Sequence, residues 1–234
     1  MKFDFTPVKD IIEDSSYFED VEYGLYCWKL LEGTNFNGIV KEYHPNGVLK
    51  SEVTYKLENN ENDRVIYLGK ANKYIHDRFY KNHLNPYNNF STLRRAIGAV
   101  LKEELSLRAL PKIDSKGNII ANKKKACRQY RFDPVDELKI NQWMINNLEY
   151  GFIELDSGVD DIIKILNKSK EKRTQEEKLN KQKHKDYMKD QEKEAKKIIR
   201  PSLNCQSGDK KFNDYYDKIG KLRKVCRKEA IESC

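Results

Sequence analysis

A mixed α/β fold, a small sheet flanked by helices, is what this sequence predicts, and three observations carry the prediction. Between residues 20 and 70 the chain holds short aromatic and apolar runs punctuated by turn residues. From residue 73 onward helical patterning dominates, returning once to a strand-like run over Tyr150–Leu155. The 25 aromatic residues (14 Tyr, 9 Phe and 2 Trp) supply material for a real core in a 234-residue chain that is only 38% hydrophobic.

Taken in order, residues 1–19 read as an acidic lead-in with a short helix around Val8–Glu13. Tyr23-Gly24-Leu25-Tyr26-Cys27-Trp28 is apolar enough for a buried strand. Gly38–Tyr43 and Val48–Val53 flank Pro45-Asn46-Gly47, a hairpin signal in which both Asn46 and Gly47 are expected to take positive φ. This hairpin is expected as an insertion over about 37–57. Residues 58–63 are a polar loop, and Val65–Leu68 is the next strand. Lys73–His83 is a helix candidate. Ser91–Leu105 is another, with Ser91 or Thr92 as N-cap and Leu93, Ile97, Val100, Leu101 and Glu104 in helical register.

Residues 111–131 suggest a basic loop or β-ribbon, with Lys123, Lys124, Lys125, Arg128 and Arg131 uninterrupted by any acid. Asp136–Asn146 should be helical. The compositional outlier is 166–200, with 13 Lys or Arg against 7 Asp or Glu. Its sparse apolar residues predict a solvated charged helical arm over about 160–198. Pro201 ends it, and a basic last helix follows within 206–234. The main domain is accordingly expected over 20–205.

Composition excludes several classes. No apolar run approaches the roughly 20 residues of a membrane span. The acidic N-terminal stretch lacks the layout of a signal peptide. Five scattered cysteines (Cys27, Cys127, Cys205, Cys226, Cys234) without a CxxC pair support neither a zinc site nor a disulfide framework, so a reducing cytoplasm is expected. A net charge of +8, a pI near 9.0 and a mean hydropathy of −0.87 favour an anionic partner, nucleic acid first.

Gly24-Leu25-Tyr26, then Tyr67-Leu68-Gly69-Lys70-Ala71, then Arg78 and His83, resemble the GIY-YIG nuclease family. The second motif, with Arg78 eleven residues beyond Tyr67, is the more specific. Ser91–Leu101, Trp143-Met144 and Lys221–Ala230 resemble later helices of a bacterial subgroup. Glu192 to Asn204, with Glu nine residues before Pro201, is similar to the family's metal-binding segment. The resemblance implies an antiparallel three-stranded α+β sheet around Tyr26, Tyr67 and Phe152.

It also implies roles. Tyr26 would be the general base, once cations such as Lys70 and Arg78 lower its pKa from the usual value near 10. Tyr67 would hydrogen-bond the water or Tyr26, Arg78 would fork onto phosphoryl oxygens, and Gly69 would admit the phosphate. Glu192 would hold Mg²⁺ (or Mn²⁺), with Asp160 or Asp161 as the alternative ligand. Gly24 and Asn204 would be structural parts of the site. His83 stands five residues beyond Arg78, where the family more often has four, so a surface position competes with a catalytic one; His76 is read as surface.

Arg94, Arg95, Lys123, Lys124, Lys125, Arg128 and Arg131 are the candidate contacts to the DNA backbone. The expected function is a Mg²⁺-dependent endonuclease on double-stranded DNA, of restriction type ahead of repair or homing. Cutting both strands would need a homodimer or two successive events. A catalytically silent nucleic-acid binder and a scaffold acting through the arm are the alternatives.

Overall fold

In a computed structural model, all residues are described except 20, 58–63, 88–90, 115 and 206–207, so the expected polar loop lies outside the described residues. The strands are β1 (Asp4–Pro7), β2 (Gly24–Leu30), β3 (Asn37–Tyr43), β4 (Leu49–Lys56), β5 (Val65–Ala71), β6 (Ala109–Leu110), β7 (Arg131–Phe132) and β8 (Leu148–Glu154). The helices are α1 (Val8–Glu13), α2 (Thr92–Val100), α3 (Lys123–Arg128), α4 (Pro134–Asn147), α5 (Ile162–Asn167), α6 (Gln175–Ile199) and α7 (Tyr216–Glu232), with a π-helical turn over Asp77–His83.

Among the described residues the central sheet has four strands, in the antiparallel order β1-β8-β2-β5, rather than the expected three. The added strand lies in the acidic lead-in. It is four residues long and ends on Pro7, too short to show alternation and suited to a sheet edge, where a missing N–H does no harm. The register sets Tyr26 opposite Gly69 on one side and Phe152 on the other, and Trp28 opposite Tyr67 and Tyr150.

Both faces of the sheet are covered, which is why β2 and β5 read as continuous apolar runs. Successive side chains alternate across a strand. Tyr26, Trp28, Ile66 and Tyr150 enter the main core with Val8, Ile11, Phe79, Leu93, Ile97 and Met144. Leu25, Cys27, Val65 and Leu68 enter a second cluster with Ala195 and Ile199 of α6. So α6 is no solvated arm. Its charged flank faces water, but His184, Met188, Ala195 and Lys196 are buried. A capping box starts it: Glu177 N–H donates to Thr174 Oγ1 (3.1 Å) and Thr174 N–H to Glu177 Oε2 (2.9 Å).

Other departures have local causes. In the β3–β4 hairpin Gly47 alone takes a positive φ (81°). Its N–H donates to His44 O, a three-residue loop around Pro45 rather than a two-residue turn. The basic run holds a helix, α3, capped by Asn122 Oδ1 accepting from Lys125 N–H (2.9 Å) and anchored by buried Ala126 and Cys127. Helix α2 takes Ser91 as its cap and ends at Val100, short of the expected Leu105.

Beyond α6 the chain returns along the outer edge of β5. Leu203 N–H donates to Ile66 O (2.7 Å). Asn204 Oδ1 accepts from Leu68 N–H (2.9 Å) while its Nδ2 donates to Leu68 O (2.8 Å). Helix α7 then buries Ile219, Leu222, Cys226 and Ala230.

Candidate active site

Strand β2 delivers Tyr26 into the core face, 3% exposed, where its Oη shares a 2.8 Å hydrogen bond with His83 Nε2. His83 Nδ1 shares a second, of 2.9 Å, with Ser91 Oγ at the start of α2. The ring is 4% exposed, so the surface alternative for His83 is overturned. The reason is the π-helical turn. Leu84 N–H donates to Phe79 O, five residues back, and a turn widened in this way carries residues five apart on one face. The extra residue between Arg78 and His83 is absorbed there.

Tyr67 stacks on Tyr26 with ring centroids 6.3 Å apart, and its Oη shares a hydrogen bond with Thr92 Oγ1 (3.2 Å). The sequence marks Ser91 and Thr92 only as helix caps; in the structure they hold the two site residues His83 and Tyr67. Gly69 also has a different task from the one expected. A Cβ there would lie 2.5 Å from Tyr26 Cζ and Oη, so the glycine makes room for the phenol ring rather than for a phosphate. At Gly24 a Cβ would come 2.0 Å from Ile153 O across the sheet. Asn204 is a clamp that fixes β5 beside Gly69.

Arg78 lines a cleft of about 270 Å³ with Asn72, Lys73, Tyr74, Asp77 and Asn82. Burial pushes the Tyr26 hydroxyl well above its ordinary range, Tyr67 adds to the rise, and Arg78 opposes it. Tyr67 is likewise raised by burial. The expected lowering of Tyr26 by its cations is therefore outweighed by desolvation. His83 moves the other way. Burial, with the positive charges of Arg78 and Arg94, pushes it down to about 3, so the imidazole is neutral at ordinary pH.

Lys70 on β5 pairs with Glu192 Oε2 (2.8 Å), and Lys196, one turn along α6, pairs with Glu192 Oε1 (2.9 Å) and with Asp209 (3.0 Å). Burial raises Glu192, but Lys196 and Lys70 outweigh it and leave the carboxyl below its usual range. Its charge reaches both Tyr26 and Tyr67. Asp161 instead pairs with Lys164 on the exposed start of α5 (2.7 Å), and Asp160 is exposed. Among the described residues no group of three or more His, Cys, Asp or Glu side chains is disposed to hold a metal. The single carboxylate suits a hard cation that keeps most of its waters and takes its remaining ligands from a phosphate. Lys70 is the more exposed of the two lysines and has one acidic partner where Lys196 has two, so Oε2 is the oxygen that could open to a cation.

The expected DNA contacts divide. Lys123, Lys124, Lys125 and Arg128 are exposed on α3, and Arg95 and Arg131 are half-buried. Arg94 is 2% exposed and cannot reach a DNA backbone. Its guanidinium donates to Glu137 Oε2 (2.7 Å), Asn141 Oδ1 (2.8 Å) and His83 O (3.1 Å), so it braces the π-turn against α4. No helix among the described residues is long and apolar enough to cross a membrane.

No curated protein and no solved structure matches the chain. The family model of the GIY-YIG catalytic domain matches residues 24–200, from the first glycine of β2 to the end of α6, which is more than half of the chain. With Tyr26, Tyr67, Arg78 and Glu192 drawn from four separate elements of that span, the chain belongs to the GIY-YIG family and carries its phosphodiester-cleaving endonuclease domain.

Proposed function

We propose that this nuclease cuts double-stranded DNA with Mg²⁺ or Mn²⁺, using Tyr26, Tyr67, Arg78, His83, Lys70 and Glu192. The observation that carries the reading is the 2.8 Å Tyr26–His83 bond beside Arg78 and Glu192. Nucleases of this family generally use divalent metal ions. Such an ion on Glu192 would supply a positive centre that neutralises phosphoryl charge and eases departure of the 3′-oxygen.

The remaining chemistry belongs to the chain. Arg78, on the wall of the 270 Å³ cleft, presents a planar cation suited to two phosphoryl oxygens. Tyr26 is held protonated by burial, so it acts as a relay rather than a tyrosinate. With His83 protonated at Nδ1 and bonded to Ser91, the Tyr26 hydroxyl donates to Nε2. As the attacking water gives its proton to Tyr26 Oη, the phenol's own proton passes to His83. The new O–P bond forms while the P–O3′ bond breaks, and the departing 3′-oxygen takes its proton from solvent water. An incoming phosphodiester adds negative charge beside His83 and raises its basicity when the proton is needed. Gly24, Gly69 and Asn204 keep the strands in the register that this geometry needs.

Supercoiled and mixed-sequence linear DNA, incubated with Mg²⁺ or with EDTA, test the reading. Mg²⁺-dependent cutting is expected, with Arg78→Ala reducing it by at least ~10³-fold while DNA binding and the thermal melt stay near wild type. Discrete fragments would assign restriction-type cleavage. Uncut DNA under every metal and sequence tried would overturn the nuclease reading.

A further inference from the structure

Two arginines of α7, Arg223 and Arg227, have no role in the reading above, and Arg223 borders the site. Arg223 helps to line a cleft of about 70 Å³ whose other walls include Tyr67, Thr92, Asn204, Cys205 and the Lys196-bound Asp209, so it borders the same space as a proposed catalytic tyrosine. Helix α2 brings Arg95 into range of Arg223, and α3 brings Arg128 into range of Arg227. Each of these charges acts unfavourably on its neighbour.

The carboxylates within range are shared with other cations, and Glu137 also acts favourably on Arg95. Glu137 holds Arg94, Glu229 holds Lys102 (2.7 Å), and Asp209 holds Lys196. Among the described residues Arg223, Arg227, Lys125 and Arg128 make no ion pair. The Nε atoms of Arg223 and Arg227 are buried and meet no hydrogen-bond acceptor among those residues. Arg223 and Arg227, with no paired carboxylate among the described residues, keep their mutual repulsion unless an anion joins them.

We infer that Arg95, Arg223 and Arg227, continued outward by Lys125 and Arg128, form a track for the phosphate backbone of a DNA duplex leading away from Tyr67. The choice of DNA as ligand rests on the nuclease reading, because a duplex cut at Tyr26 must continue past the cleft that Tyr67 and Arg223 share. Such contacts position the duplex without reading its bases. Each neutralised phosphate releases a counterion, which gives the track a measurable signature.

The test is binding of a fluorescein-labelled duplex in EDTA, where cutting is prevented, between roughly 50 and 200 mM salt. Arg223→Gln with Arg227→Gln should weaken binding at least ~10-fold and lower the slope of log K against log salt by about 1.8, or 0.9 per lost contact. The Arg223→Lys, Arg227→Lys protein should regain most of that slope, which no loss of fold would permit. An unchanged slope in a glutamine variant that melts as wild type overturns the track. If that double variant fails to fold, Arg227→Gln alone should lower the slope by about 0.9, and an unchanged slope there overturns it too. An RNA duplex bound more tightly than DNA overturns the ligand assignment. Wild-type protein that binds with the expected variant response but never cuts supports the track and sinks the nuclease reading. Cutting with a slope indifferent to both arginines does the reverse.

Discussion

Gly69 faces the Tyr26 ring across the β2–β5 pair, and the ring has nowhere to retreat, since Tyr67 and Tyr150 stack beside it at 6.3 and 5.8 Å. Gly69→Ala should therefore cost about 1–3 kcal/mol of stability from overpacking. By displacing the phenol, it should also slow cleavage by about 10²-fold. Urea melts and single-turnover cutting check the two effects, and cleavage at the wild-type rate would remove the steric account. Residues of this kind are half legible in the sequence. The spacing of Gly24, Tyr26, Tyr67, Gly69 and Arg78 is visible there, but the object each glycine avoids is not. Arg94 shows the opposite failure. Next to Arg95 it reads as surface charge, because its partner Glu137 lies forty-three residues away and only the fold brings the two within 2.7 Å.

Among the elements, the π-helical turn between β5 and α2 changes most between sequence and structure. Periodicity assumes 3.6 residues per turn, and on that assumption His83 points away from Arg78. The wider turn corrects the phase. Lys81 lies in this turn with its side chain 71% exposed and paired with Asp77 at the surface (2.7 Å). Deleting Lys81 should convert the turn to ordinary α-helix with Arg78 and the histidine four apart. Cleavage is expected to stay within ~10-fold of wild type, since four residues on an α-helix share a face as five do here. A folded deletion protein that no longer cuts would show that the π geometry itself is required. Helix α6 is misread for a related reason. Its buried stripe of His184, Met188 and Ala195 is made of polar, unbranched and small residues, so the burial is real while the apolar signal is faint. β1 escapes because four residues are too few for a period. The hairpin is legible because Asn46-Gly47 marks where the chain turns, and α1, α4 and α7 because their apolar spacing agrees with their packing.

For the molecule as a whole, the buried neutral imidazole makes stability depend on pH. His83 has a folded pKa of about 3 against an ordinary 6.5, so below pH 6.5 the unfolded chain binds a proton that the folded protein refuses. The contribution is complete above pH 6.5 and is lost as pH falls toward 3, with a slope of up to about 1.4 kcal/mol per pH unit. His83→Gln removes that share. Urea melts at pH 7, 5.5 and 4.5 should show a shallower loss in the variant, and parallel curves would mean that His83 does not set the acid limit.

The sheet also ends on a strand that carries the site. In the order β1-β8-β2-β5, β5 is an outer strand, and an outer strand with unpaired amides is a template for another molecule's chain. Leu203 and the two-pronged Asn204 amide occupy the Ile66–Leu68 stretch of that template from within the same molecule. The short segment after α6 thus guards against strand addition and aggregation while it holds Tyr67 and Lys70 in phase, so solubility and catalytic register depend on the same few hydrogen bonds.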